Sequence, residues 1–170
     1  RVLLVTDRIE EAEQAIDALR GAAQEQGSAV LTAMAAWYAG ELALCVGRLA
    51  DAGREATRVL ELLPEAGLVT AAATEVLVWS LAERGDVATA HDVLRRRPEM
   101  WEGSHGWETG VRHARACVFL AEGDYERAAD CAREVGARRL AQGRGNPAWT
   151  PWRSTLAMAL AHLGRLDEAI

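Results

Sequence analysis

Lysine is missing from this chain of 170 residues: all 19 basic residues are arginine, against 25 acidic residues, for a net charge of −6. The acidic balance, with the arginines scattered rather than gathered into a stripe, argues against an electrostatic grip on nucleic acid. Aromatic residues make up only 5% of the chain, with a single Phe and two Tyr. With Val, Ile and Thr also sparse, there is too little material for a large sheet. Four Pro and 15 dispersed Gly rule out a collagen-like or disordered composition. The three cysteines, Cys45, Cys117 and Cys131, form no CxxC pair. They read as reduced thiols, and a cytoplasmic location is expected. No apolar run approaches the roughly 20 residues of a membrane span, and no signal-peptide pattern opens the chain. Half of the sequence is nevertheless hydrophobic, carried by Ala and Leu. With Glu and Arg these are strong helix formers, which predicts an all-α protein.

The main signal is a repeat. Asp7-Arg8-Ile9-Glu10-Glu11-Ala12, Gly47-Arg48-Leu49-Ala50-Asp51-Ala52, Gly85-Asp86-Val87-Ala88-Thr89-Ala90, Gly123-Asp124-Tyr125-Glu126-Arg127-Ala128 and Gly164-Arg165-Leu166-Asp167-Glu168-Ala169 share one pattern. Each reads Gly or Asp, a charged residue, an apolar residue, two variable positions and Ala, and the alanines are spaced by 40, 38, 38 and 41 residues. Gly accepts the left-handed backbone that ends one helix and turns toward the next, and Asp86 and Asp124 can cap the helix that follows. The apolar residue anchors that helix, and the Ala three positions on lets two backbones approach. Seven residues before each later Gly stand Gly40, Val78, Ala116 and Ala157, small or medium residues on the preceding helix.

This layout resembles the tetratricopeptide repeat, which implies a right-handed α-solenoid of antiparallel helix pairs. The period of about 38–41 residues exceeds the usual 34, so the helices are expected to be elongated, and the aromatic positions of the family pattern are poorly kept. Residues 1–170 read as a single helical-repeat domain. Because the chain opens with Arg1 rather than Met, it is expected to be an excerpt of a longer multidomain protein. Helices are predicted over 9–26, from 29 (capped by Ser28) to about 46, and over 49–63, 69–84, 87–97, 107–122 and 125–142. A last full helix over 151–163 is expected to be capped by Thr150 with Pro151 at its first position, and 166–170 to begin another. Two connections are longer, 98–108 with Trp101 and Trp107, and the Gly-rich Gly143-Arg144-Gly145-Asn146-Pro147.

Chemistry-bearing patterns are few. The Gly-rich segment has no Lys and no preceding strand, so it is a turn rather than a phosphate loop. His113 and Cys117 stand four apart on one helix, but a zinc site wants three or four ligands and no second pair accompanies them. The run Arg95-Arg96-Arg97 complements a helix C-terminus. Trp101 and Trp107 are expected to pack their loop onto the helices. No catalytic, cofactor-binding or metal-ligating residue is expected, and the chain is read as no enzyme.

The first helix of each pair should line a concave groove. Counted back from each turn Gly, the groove positions are Trp37 and Glu41, Glu75 and Trp79, His113 and Cys117, and Ser154 and Met158. The tryptophans either bind an apolar or cationic partner there or fill gaps between neighbouring helices. In the C-terminal third, Asn146-Pro147-Ala148-Trp149-Thr150-Pro151-Trp152-Arg153-Ser154 is followed by an Ala/Leu helix and Leu163-Gly164-Arg165-Leu166-Asp167-Glu168-Ala169. This order resembles the helical-repeat region of the large ATP-binding regulators of the LuxR family. The resemblance implies a non-catalytic sensor and coupling domain of a bacterial transcriptional regulator. Its partners would be a protein segment or a small-molecule effector, together with the other domains of the parent chain, with no direct contact to DNA. A free-standing scaffold that binds peptides and a solenoid receptor for a small molecule are the alternatives.

Overall fold

The computed structural model describes residues 2–65, 67–102, 106–146 and 148–169, and all of their regular structure is helical. In chain order the α-helices are α1 (Val2–Val5), α2 (Ile9–Gln26), α3 (Ala29–Cys45), α4 (Leu49–Leu62), α5 (Leu68–Glu83), α6 (Val87–Arg96), α7 (Glu108–Ala121), α8 (Tyr125–Ala141) and α9 (Trp152–His162). Short 3-10 turns lie at Pro98–Met100 and Leu166–Glu168. The last of these replaces the helix expected from 166, and Ile170 lies outside the described residues.

All five repeat turns share one geometry. Asp7, Gly47, Gly85, Gly123 and Gly164 have φ of 56°, 77°, 74°, 83° and 73°, the left-handed region that Gly enters freely and Asp with modest strain. In each turn the next residue donates its N–H to the carbonyl five positions back: Arg8 to Leu3, Arg48 to Ala43, Asp86 to Leu81, Asp124 to Phe119 and Arg165 to Leu160, at 2.7–2.9 Å. These bonds satisfy carbonyls that a helix end leaves bare. Asp86 and Asp124 then accept from the N–H groups of Thr89 and Arg127, and Ser28 from that of Leu31, as expected of caps.

Consecutive helices pack as pairs, and α3, α5, α7 and α9 also touch one another in order, forming an inner row. The row is where the apolar residues go. Helix α5 is buried on nearly every side, from Thr70 to Ala82, as a helix without a polar face must be. Its Thr70, Thr74 and Ser80 hydroxyls return hydrogen bonds to backbone carbonyls of Gly67, Thr70 and Leu77. The repeat alanines Ala12, Ala52, Ala90 and Ala128 are all buried. At Gly40 a side chain would stand 3.4 Å from the Ala52 carbonyl and 3.3 Å from Val76, so small residues set the approach of α3 to α4 and α5.

Trp101 fixes its loop to the core by donating its indole N–H to the Leu94 carbonyl at 3.1 Å, and the Arg115 guanidinium sits 4.4 Å over its ring. Residues 103–105 within that connection, and Pro147 in the next, lie outside the described residues. At the α8–α9 connection the expected Thr150 cap is corrected. Pro151 occupies the capping position without a side-chain bond, and the Thr150 hydroxyl instead accepts from Arg139 Nε at 3.1 Å. Trp152 lays its ring on Gly136 of α8, and Arg153 stacks 4.6 Å over that ring while donating to the Gly145 carbonyl at 3.1 Å.

A side chain at Gly136 would come within 2.7 Å of the Trp152 ring. Gly136→Ala should therefore destabilise the domain by about 1–3 kcal/mol, although Ala ordinarily stabilises a helix interior by about 0.5–1 kcal/mol over Gly. Urea unfolding followed by circular dichroism measures the sign; a gain in stability would mean that the ring is not seated on α8.

Candidate functional site

A cavity of about 230 Å³ opens on the inner row. Its walls come from three helices and one connection: Leu4 and Val5 of α1; Glu41, Leu44 and Cys45 of α3; Glu75, Val76 and Trp79 of α5; and Ala148, Trp149 and Pro151 between α8 and α9. The residues before α9 thus reach across to the helices of the first repeats. Asn146 shapes this connection by accepting the Ala148 N–H at its side-chain oxygen, 3.0 Å away, an Asx turn.

Of the eight residues expected in a groove, Glu41, Glu75 and Trp79 line this cavity. Trp37 is buried and stacks on Tyr38 with ring centres 4.5 Å apart. It belongs to the same core cluster as Ala33, Ala56 and Ala73, so its burial corrects its assignment to the groove. His113 and Cys117 lie beneath the surface. The His113 ring meets the Trp79 indole edge-on at 4.9 Å, and its Nε2 is 3.0 Å from the Thr155 hydroxyl of α9 and 3.9 Å from Cys117 Sγ. Ser154 and Met158 are exposed on α9 and form no part of the cavity wall, because the connection before α9, rather than the helix itself, supplies that wall.

Trp79 is held by a hydrogen bond from its indole N–H to Glu83, at 3.0 Å. Glu75 places its carboxylate over Gly110 of α7, where even a methyl group would collide with it. Gly110 is thus a notch that admits a buried carboxylate between α5 and α7. Further polar side chains are buried in and around α7, α8 and α9: Glu108, Thr109, His113, Arg139, Thr150 and Thr155.

Burial first, and the positive charge of Arg139 second, lower the His113 pKa to about 4. Burial likewise pushes the Cys117 thiol up to about 12. At neutral pH the pair is an uncharged imidazole beside an uncharged thiol, the reverse of what an activated cysteine nucleophile requires. No group of three or more His, Cys, Asp and Glu among the described residues could hold a metal ion. No helix among them is long and apolar enough to cross a membrane. Arg95 and Arg96 pair with Asp92 on their own helix.

Composition and spacing could not have shown that Trp149, Ala148 and Pro151 face α3 and α5, since that depends on how the long connection folds back. A Trp inside a Gly- and Pro-rich connection was the available signal. Compared with known proteins, the chain matches no family model, and no curated protein and no solved structure is significantly similar to it.

The buried ring makes stability depend on pH. His113 releases its proton at about 4 in the native state and near the ordinary 6.5 when unfolded. Between these values the unfolded chain binds the extra proton, so the contribution is complete above about 6.5 and is lost as pH falls to about 4. The loss should approach about 3 kcal/mol. In His113→Gln the fall in stability over this window should be shallower by that amount, as read from denaturation at a series of pH values; an unchanged slope would place the ring in solvent.

Proposed function

We propose that this domain is the sensor region of a LuxR-type transcriptional regulator, a non-catalytic, tetratricopeptide-like right-handed solenoid. It would bind a small effector in the cytoplasm and pass that event to the other domains of its parent chain. The cavity carries the reading, since it joins the first repeats to the connection before α9, so that a ligand seated there would touch α3, α5 and that connection together. The five matching turns support kinship with the tetratricopeptide repeat. The motif spanning Asn146 to Ser154 supports kinship with the LuxR regulators, because its Trp149, Trp152 and Arg153 have distinct jobs in the connection.

The volume favours a small molecule over an extended peptide. Sites for drug-sized ligands run to roughly 300–1,000 Å³, whereas this one is about 230 Å³. A ligand that binds only the folded state stabilises it by about 2.7 kcal/mol at a hundredfold its Kd. A thermal-shift screen of metabolites should therefore yield compounds that raise the Tm by roughly 5–10 °C. Such shifts should vanish in Trp79→Ala and Trp149→Ala, with tryptophan fluorescence changing on binding in the parent. Hits that survive both substitutions would move the site elsewhere. Peptides that bind with the cavity substitutions in place would favour a scaffold.

A further inference from the structure

We propose that the groove bordered by α1, α2 and α3 is the seat of an α-helix of the parent chain, one that continues α1 away from its turn and presents small residues at i, i+3 and i+7. This rests on the parent chain of the proposed function but not on the effector cavity. The groove, of about 410 Å³, has Leu3 and Leu4 at its α1 side, and Ala15, Leu19, Met34 and Tyr38 are among its other walls. Ala15 is exposed, and Leu19, Met34 and Tyr38 are only half-buried. The groove continues a contact that α1 already makes, where Leu3 and Leu4 pack with Ala12, Ile16 and Leu42.

The internal repeat identifies the occupant. Leu19 stands twelve residues after its turn residue, as do Val59 and Val135, and both of those are fully buried. Met34 and Tyr38 stand thirteen and nine residues before the next turn Gly. Their counterparts, Ala72 and Val76 on α5 and Gly110 and Ala114 on α7, are all buried. The cover comes from the first helix of the preceding pair. Ala72 and Val76 share a core cluster with Ala36 and Trp37 of α3, and Gly110 lies beneath the Glu75 carboxylate of α5. Those covering helices have 17 and 16 residues, whereas α1 has four. Their inner faces also set the chemistry. Ala33, Ala36 and Gly40 on α3, and Ala71, Thr74 and Val78 on α5, share the i, i+3, i+7 spacing and are buried. A helix suits such walls because its backbone groups pair internally, whereas an extended segment would lay unpaired N–H and C=O groups against apolar side chains.

The test adds ahead of Arg1 the residues that precede it in the parent chain, about twelve of them, or roughly three helical turns. Thermal unfolding followed by circular dichroism should show the Tm raised by roughly 5–10 °C over the 170-residue chain. Inserting two alanines between the added residues and Arg1 turns their inner face by about 200°, and the gain should then be lost. Leu19→Glu should lower the Tm by more in the lengthened chain than in the shorter one, because only there is Leu19 covered. If that substitution unfolds the shorter chain, the two-residue insertion alone decides. No gain, or a gain that survives the insertion, would overturn the proposal. So would a parent chain whose residues before Arg1 are missing or lack small side chains at that spacing. A second copy as occupant would show instead as dimers of the shorter chain that Leu19→Glu dissociates, with no gain from the added residues. The effector cavity is read separately, by the dependence of metabolite hits on Trp79 and Trp149, and stands or falls apart from these outcomes.

Discussion

The left-handed residue at each repeat turn is the constraint on which the rest depends. A helix that ends in this backbone conformation presents its last carbonyls to the next N–H groups and sends the chain back antiparallel. Because Asp7, Gly47, Gly85, Gly123 and Gly164 all adopt it and form the same hydrogen bond, every pair is closed in the same way. Closure alone would leave the pairs loosely seated. The buried alanines and Gly40 let the paired backbones come close, and that closeness brings alternate helices into one row. A larger side chain at these positions would separate the pairs and open the row that forms the cavity floor.

Much of this could be read in the sequence, because its causes are local. Helix limits followed from Gly, Asp, Ser and Pro at fixed offsets, and the observed elements end within one or two residues of those expectations. Asp7 is instructive. It stands where the other repeats have Gly, and the structure gives it the same left-handed backbone, with φ of 56°. The departures come where tertiary contacts outrank local preference. Thr150 has the chemistry of a cap, yet it turns to the buried Arg139. An arginine inside the protein needs acceptors, whereas N–H groups at an exposed helix start can use water.

The candidate site was legible only in part for a related reason. Counting back from the turn Gly places a residue on the inner face of its helix but cannot tell whether a neighbour covers it. Glu41, Glu75 and Trp79 remain at the cavity wall because α3 and α5 face a gap. The equivalent positions on α7 are covered, so His113 and Cys117 become interior residues packed against Thr155. On α9 the same count reaches Ser154 and Met158, which no later helix among the described residues covers. One periodic rule thus gives a wall, a core and an exposed face, according to what lies opposite.

Polar contacts run from the cavity wall into the later helices. Glu75 belongs both to the cavity wall and, through its carboxylate over Gly110, to the α5–α7 interface. Pro151 lines the cavity, and its neighbour Thr150 is held by Arg139 of α8. Trp79 touches the cavity on one side and the His113 ring on the other, and His113 reaches Thr155 of α9. Each link is a directional contact, and where it is buried a lost partner costs more than it does at the surface. Trp79 and the connection around Trp149 are thereby tied to α7, α8 and α9. An apolar interior of the same shape could slide, since its contacts are non-directional. The polar contacts, by contrast, are directional and hold α7, α8 and α9 in one arrangement relative to the cavity wall.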